Sequence, residues 1–472
     1  MPELILSLDI GTTSLGACVF TPGGELKALA TASVRSFSNL PGQVEQDASA
    51  LWTSTTHVIR QALAKAGIAP ADLAAVGVTS QRGSIVCWDR VTGEPLAPVV
   101  VWSDLRGAAR ATELRESGYM VHPHLPVSKL EGVVAGLDCT NLAWGNVDAW
   151  ITWKLSGAAL HVTDRSQAWG LGYLDASTLE WNAPFIAFQS LDLKSFPALV
   201  DTWGVMGTTC ASVFGAEVPI AAVIGDQQCA LIGHGCEAAG QAKVTYGTST
   251  TVEVSTGAEL KWVSLAIPPH LFTSVGGRVR YCLEGMVFTA GAALDWLQHL
   301  FGIPDHEAFE ALAAATPDAG GVVFLPSLHG LGAPYGDFGR RGVLGGFNTA
   351  TTQGHVVRAG LEGVACRVRE AFDAVVAGAG HPRPDVLKVD GGLTNSDNLM
   401  QAQADILGLP VVRHALREAT SAGAAICAAR GVGLLGADEV AGFATYDRTF
   451  EPRSSMDEAT GRFNAWKAAA YR

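Results

Sequence analysis

Short apolar runs alternate along this chain with glycine, proline and small polar residues, the pattern of strands and helices in alternation. Strand-like runs open it at 4–10, 15–20 and 25–30, with Gly11-Thr12-Thr13-Ser14 and Thr21-Pro22-Gly23-Gly24 as the turns between them. A helix is predicted over 48–66, with Asp47 as its N-cap. Strand-like runs follow at 74–80, 84–89 and 98–102, and helical regions at 127–135 and 147–155. Polar residues gather where those strands end: Gln81, Arg82, Asp104 and Arg106, with Trp102 among them. The stretch 156–219 reads as irregular and loop-rich.

At 219–224 the apolar run is unbroken, as in a strand covered on both faces. Gly225 then turns the backbone and Asp226 lands at the strand's carboxyl end, the edge where open α/β sheets hold ligands. A helix-like stretch, 227–233, follows, so Asp226 also suits a helix N-cap.

After Gly240 the opening pattern returns. A strand over 241–246 meets Gly247-Thr248-Ser249-Thr250 and a second strand, 251–255. The two Gly/Thr turns begin at 11 and 247, 236 residues apart in a chain of 472, which predicts two similar α/β halves, 1–237 and 238–472. Neither turn is a Walker loop, because no G-x-x-x-x-G-K is present and a strand follows. Backbone N–H groups and hydroxyls of such a turn can still cradle an anion, although a plain hairpin is the commoner use of an isolated GTTS.

The second half continues with a strand at 279–283, a helix over 290–300, a strand at 320–325 and a Gly/Pro-rich loop over 327–341. A long helix is predicted over 352–376. Its apolar positions Val357, Leu361, Val364, Val368, Phe372 and Val375 have the spacing of a core-facing helix. A strand at 385–390 runs into Gly391-Gly392, and a helix starts at Asn395-Ser396 and reaches Leu407. This is a combination that lets a nucleotide approach the backbone. A small-residue helix opens at Thr420. Gly431-Val432-Gly433-Leu434-Leu435-Gly436 fits G-x-G-x-x-G, but it follows a helix-like stretch and is read as a helix end and loop.

Composition narrows the function. Hydrophobic residues at 48% and charged ones at 16% describe a globular protein. A net charge of −13 without a basic run argues against nucleic-acid binding. Nine scattered cysteines with no C-x-x-C argue against a disulfide framework and a zinc site, and suit buried small hydrophobes. His122 and His124 flank Pro123 without an evident third metal ligand. The N-terminus lacks a basic n-region and no apolar run of about 18 residues occurs, so neither a signal peptide nor a membrane span is expected and the cytoplasm is the expected location.

Ten motifs, in order along the chain, now carry a resemblance. They are Asp9-Ile10-Gly11-Thr12-Thr13-Ser14, Gly42-Gln43-Val44-Glu45, Ser80-Gln81-Arg82, Val101-Trp102-Ser103-Asp104, Val147-Asp148-Ala149-Trp150, Gly225-Asp226-Gln227-Gln228, Thr245-Tyr246-Gly247-Thr248-Ser249, Ala290-Gly291-Ala292, Val389-Asp390-Gly391-Gly392 and the run from Leu399 to Leu407. Together they resemble the FGGY family of carbohydrate kinases, and most closely its glycerol-kinase branch. The resemblance implies an α/β, two-domain, actin-like (ribonuclease-H-like) ATPase fold with ATP and a sugar or polyol in a central cleft. It implies Asp226 as catalytic base and phosphates between Gly11-Thr12-Thr13 and Gly247-Thr248. Adenosine would lie against Gly291, Asp295, Gly391 and Gly392, and Mg²⁺ at Asp9 (through water) and Asp226. The acceptor would lie near Gln81, Arg82, Trp102, Asp226 and Gln227. A homodimer or higher homo-oligomer is compatible with the resemblance.

Four departures bear on the acceptor and the phosphates. Gly83 stands where glycerol kinases carry a Glu after the Gln-Arg pair, and His124 replaces a Tyr. Thr251 replaces an aromatic after the second turn, and Gly16 a basic residue after the first. Losing a carboxylate and a phenol leaves glycerol's hydroxyls under-bonded and makes room, which favours a larger polyol or a ketose. Ser396 replaces an Asn near the adenosine, with Asn395 as its substitute. Glycerol itself, or a xylulose- or ribulose-type ketopentose, is the alternative acceptor. Outside the kinases, an actin- or chaperone-like ATPase would keep the phosphate turns but has no use for the wall of Gln81, Arg82, Trp102 and Gln227. A catalytically weak sugar sensor would tolerate loss of Asp9, Asp226 or Thr248, all of which are present.

Overall fold

The computed structural model describes residues 3–416 and 419–472. Met1 and Pro2, part of the N-terminal stretch considered above, lie outside them. The chain divides into two compact units: Met1–Gly235 with Leu271–Val279 and Thr420–Ala444, and Cys236–His270 with Arg280–Ala419 and Thr445–Arg472.

In the first unit, β1 (Leu4–Ile10), β2 (Ser14–Phe20) and β3 (Leu26–Ser33) form the predicted meander. α1 (Ala48–Ala66) begins where Asp47 accepts the Ala50 N–H and ends at Gly67, which takes the left-handed conformation. β4 (Leu73–Ser80), α2 (Val147–Leu155), β5 (Trp203–Thr208), β6 (Pro219–Gly225) and α3 (Asp226–Gly233) follow. The sheet order is β5–β6–β4–β1–β2–β3, with β6, β4 and β1 parallel and the remaining pairs antiparallel. The three central strands are apolar on both faces, with Ile5, Leu6, Val76, Val78, Val223 and Ile224 fully buried. The stretch expected to be irregular is ordered instead. It holds the paired strands Val162–Asp164 and Ala198–Val200, the helices Arg165–Trp169, Ala183–Phe188 and Ala211–Phe214, and β5. Elements this short span too little sequence to show a period.

The second unit repeats the scheme. β7 (Ala242–Tyr246), β8 (Thr250–Gly257) and β9 (Arg278–Val287) form its meander, followed by α4 (Gly291–Leu300) and α5 (Gln353–Ala379). β10 (Leu387–Asp390), α6 (Asp397–Leu407), β11 (Val411–His414) and β12 (Tyr446–Phe450) complete the scheme, and α7 (Ala419–Gly431) lies between β11 and β12 in the chain. Six of the seven strands of its sheet lie in the order β9–β8–β7–β10–β11–β12, with β7, β10 and β11 parallel. Each unit therefore sets a central meander strand beside two parallel strands and an antiparallel edge strand. All six predicted core positions of α5 are buried. At roughly 1.5–3 kcal/mol per side chain, they bury enough apolar surface to anchor the unit. Lys243 and Glu253, both fully buried, pair at 2.7 Å across β7 and β8.

Residues 420–431 of α7 belong to the first unit. A Cβ on Gly77 would lie 2.4 Å from the Ala424 carbonyl oxygen, and one on Gly423 would lie 1.9 Å from that of Cys229. Helix, strand and α3 thus meet backbone to backbone, which only glycine allows. α7 ends at Gly431, in agreement with the rejection of G-x-G-x-x-G there. Seven of the nine cysteines are buried.

Candidate active site

The first unit builds its site on one carboxyl edge. Ile10, Ser80 and Gly225 are in register across β1, β4 and β6. The next residues, Gly11, Gln81 and Asp226, therefore leave the sheet side by side, and the Gln81 N–H donates to the Ile10 carbonyl at 2.9 Å. Asp9, half-buried on β1, lies opposite Thr79 of β4 and Gly16 of β2.

Asp226 is not the helix N-cap; Gly225 holds that position and Asp226 is the first helical residue. Its Oδ1 accepts the Gln227 N–H at 2.8 Å and lies 3.4 Å from Arg82 Nε. The side chain is 25% exposed, so a solute can reach it. Gln227, half-buried, shares the first turn of α3.

Behind this edge stands a polar wall. The Trp102 indole N–H donates to Thr12 Oγ1 at 3.0 Å, and Thr12 Oγ1 donates to Gln81 Oε1 at 3.1 Å. Gln81 is buried, so its amide serves the protein interior more than the sequence suggested. His124 meets the Trp102 ring edge-on at 5.9 Å, and its Nδ1 lies 3.1 Å from His122 Nδ1. Burial pushes His124 down to about 4, with His122 and Lys129 adding to the shift. Burial also lowers His122, with Arg115 and Lys129 contributing. Both rings are then neutral, one donating and one accepting. Among the described residues no group of three or more His, Cys, Asp or Glu side chains could hold a metal.

Asp104 and Arg106 pair with each other. Arg106 grips both oxygens at 2.9 and 2.8 Å and reaches Glu45 Oε1 at 2.6 Å. Burial pushes the Asp104 carboxyl up, but its bonds from Arg106 and from the Val44 N–H outweigh this and hold it low. Lys129 was missed by the sequence reading. Its buried Nζ donates to the Trp102 and Asp104 carbonyls at 3.1 and 3.0 Å and so shapes the loop that carries Trp102. Burial pushes its amine down to about 7, against the pull of Asp104. Its one signal was a single lysine in the largely apolar stretch 125–134, which also holds Ser128 and Glu131.

In both Gly/Thr turns the carbonyls are occupied by protein donors. Thr12 and Thr13 accept from Gln46 Nε2 and the Val34 N–H, both at 2.8 Å. In the second unit, Gly247 and Thr248 accept from the N–H groups of Gly291, Ala290 and Ala292 at 3.0–3.2 Å. What such turns can offer a ligand is N–H groups and exposed hydroxyls, the chemistry of an anion site. Thr13 and Thr248 are exposed.

The second unit also brings together the glycines expected at the adenosine. Gly391 has φ +93°, and a Cβ there would lie 2.2 Å from the Tyr246 carbonyl, so the end of β10 lies against the end of β7. Gly392 faces open space. Thr245 Oγ1 links the two strands by donating to Asp390 Oδ1 at 2.6 Å. Ser396 is committed as the N-cap of α6, accepting from the Leu399 N–H, while Asn395 is exposed. Asp295 is exposed on α4. Thr251 is buried inside β8, and Gly16 inside β2.

Two units of one strand order, each opening on a Gly/Thr hairpin, define an actin-like ATPase fold of the sugar-kinase type. The N-terminal and C-terminal domain models of the FGGY family of carbohydrate kinases match residues 4–233 and 242–432, and the chain belongs to that family. It is 40% identical to a glycerol kinase of Aromatoleum aromaticum, over 99% of this chain and 98% of that protein. A Plasmodium falciparum glycerol kinase solved with ADP superposes with a TM-score of 0.89 at 24% identity, covering 99% of this chain and 97% of the other. A ligand-bound xylulose kinase from Lactobacillus acidophilus gives 0.86 at 21%, covering 99% and 96%. Both are likenesses of fold. The chain is an ATP-dependent phosphotransferase acting on a sugar or polyol. No helix among the described residues is long and apolar enough to cross a membrane.

Proposed function

We propose that this kinase transfers the γ-phosphoryl group of ATP to one hydroxyl of a small polyol or ketose, with Asp226 as base. The observation that carries the reading is the grouping of Asp226, Arg82 and Gln81 beside the first Gly/Thr turn on one sheet edge. A hydroxyl is a poor nucleophile at neutral pH. Asp226 takes its proton as the new O–P bond forms and the bond to ADP breaks, an effect typically worth roughly 10²–10⁴-fold. Arg82 holds the carboxylate in place, Trp102 is the apolar wall for the carbon chain, and His124 and Gln227 border the acceptor.

The turns at Gly11-Thr12-Thr13 and Gly247-Thr248 take the phosphates through N–H groups and the exposed hydroxyls of Thr13 and Thr248. Gly291, Asp295, Gly391, Gly392 and Asn395 take the adenosine. The left-handed Gly391 and open Gly392 fit a flat group pressed against backbone. The oxygen donors of Asp9 and Asp226 fit Mg²⁺, which prefers one or two carboxylates together with phosphate oxygens. When bound, Mg²⁺ offsets phosphate charge. The division of labour is acceptor, first turn and base in 1–237, and second turn and adenosine in 238–472.

Two acceptor readings each have an observation. Full-length similarity to proteins named glycerol kinase favours glycerol. Gly83, where a carboxylate is expected, favours a larger polyol or a ketose. A coupled ADP-release assay over glycerol, tetritols, pentitols, ketopentoses and ketohexoses decides between them, with Asp226→Asn as control. Turnover on one acceptor that is lost in Asp226→Asn is the expected result. ADP release that needs no acceptor and survives Asp226→Asn overturns the base assignment.

A further inference from the structure

Gln46 has no role in the reading above, yet its amide is fully buried and all of it is used. Nε2 donates to the Thr12 carbonyl at 2.8 Å and to Ser36 Oγ at 3.1 Å, and Oε1 accepts from Gln81 Nε2 at 3.0 Å. Gln81 Oε1 accepts from Thr12 Oγ1, which itself accepts from the Trp102 indole. The bonds form a closed circuit that begins and ends on Thr12.

The direction of every bond is forced by chemistry. A backbone carbonyl can only accept, so Gln46 must present its NH₂ to Thr12 and its oxygen to Gln81. Gln81 must then present its NH₂ to Gln46 and its oxygen to the Thr12 hydroxyl. An indole N–H can only donate, so the Thr12 oxygen accepts there and its proton goes to Gln81. Bonds polarised in one direction strengthen one another, and a partly broken buried circuit is costly. Thr12 lies in the phosphate turn, whereas Gln81 and Trp102 lie in the acceptor wall. Gln46 joins the two.

We propose that Gln46 is a positioning residue that makes the first phosphate turn and the acceptor wall one rigid body. A substitution on the acceptor side is then felt at the nucleotide. This rests on the assignment of the turn at 11–13 to phosphate and of Trp102 to the acceptor. It also fixes how Thr12 takes part: its hydroxyl is committed within the circuit, so its backbone faces the phosphate.

The test measures binding of AMP-PNP with Mg²⁺ by titration calorimetry on the full chain, a readout that needs no acceptor. Gln46→Leu keeps the volume and removes the three bonds. Trp102→Phe keeps an aromatic wall and removes only the indole donor, and it decides the matter should Gln46→Leu fold poorly. Gln46→Leu is expected to weaken AMP-PNP roughly 5- to 30-fold, the equivalent of one or two buried hydrogen bonds. Trp102→Phe, although on the acceptor side, is expected to weaken it several-fold. The double variant should bind within about twofold of Gln46→Leu alone, because residues of one network are not additive. With the best acceptor, Gln46→Leu should raise KM for ATP and leave kcat largely intact. Affinities unchanged in both single variants, or effects that multiply in the double variant, overturn the proposal. Wild-type protein that binds AMP-PNP but turns over no acceptor overturns the catalytic reading while the Gln46 comparison still stands or falls by itself. Turnover that depends on Asp226 together with AMP-PNP binding indifferent to Gln46 removes only the present inference.

Discussion

Replacing Gly83 with glutamate restores the carboxylate that the family resemblance leads one to expect after Gln81-Arg82. Gly83 is buried with φ +70°, and a Cβ there would lie 3.6 Å from the Gly170 oxygen and Trp102 Cβ and 3.7 Å from Pro126 Cδ. Those are ordinary contacts, so the obstacle is backbone strain rather than space. A side chain in the left-handed region costs roughly 1–2 kcal/mol. In a unit of this size that lowers Tm by about 2–8 °C. Gly83→Ala carries the strain without the carboxylate and is the reference. A hydrogen bond from a glycerol hydroxyl to the new carboxylate contributes roughly 1.5–3 kcal/mol, or about 10- to 150-fold in kcat/KM. The assay is the ratio of kcat/KM for glycerol to that for a pentitol or ketopentose in wild type, Gly83→Ala and Gly83→Glu. The ratio should rise in Gly83→Glu alone. Equal ratios in the Ala and Glu variants, both folded, would mean that position 83 does not face the acceptor.

The remaining predictions concern stability and nucleotide. Burial pushes the Asp148 carboxyl up to about 7, so the folded chain holds a proton that the unfolded chain has lost. Stability therefore falls as pH rises from about 4 to about 7, and Asp148→Asn should flatten that slope in melting curves; identical slopes refute it. Lys243→Met leaves Glu253 buried without its 2.7 Å partner and should lower unfolding free energy in denaturant by roughly 3–5 kcal/mol, against which a loss below about 1 kcal/mol would count. Gly391→Ala puts a Cβ 2.2 Å from the Tyr246 oxygen at φ +93°. AMP-PNP affinity should drop at least about tenfold, and unchanged binding would separate Gly391 from the adenosine.

What the sequence made legible were features repeated often enough to be periodic. The six apolar positions of α5 lie where spacing predicted, and the two Gly/Thr hairpins open meanders of the same order. The continuous run before Asp226 became a central parallel strand. Hidden were contacts between residues distant in sequence. Nothing about Gln46, Gln81 or Thr12 taken singly reveals a closed circuit, because each is an ordinary polar residue until the fold brings them together. Lys129 likewise reads as one more lysine until its carbonyl partners are in view. The helix-cap reading of Asp226 failed because Gly225, one residue earlier, already supplies the non-helical turn.

The return of α7 to the first unit has a consequence for biosynthesis. Chains emerge from the ribosome N-terminus first, and domains generally fold as units as they emerge. Here the first unit lacks Thr420–Ala444 until the second unit's residues up to Ala419 have been translated. Until then the backbone beside Gly77 and Cys229, shaped to receive a glycine-bearing helix, has nothing against it. The N-terminal half must wait, incomplete, while the other is made, and a nascent chain arrested before residue 420 would expose a surface suited to chaperone capture.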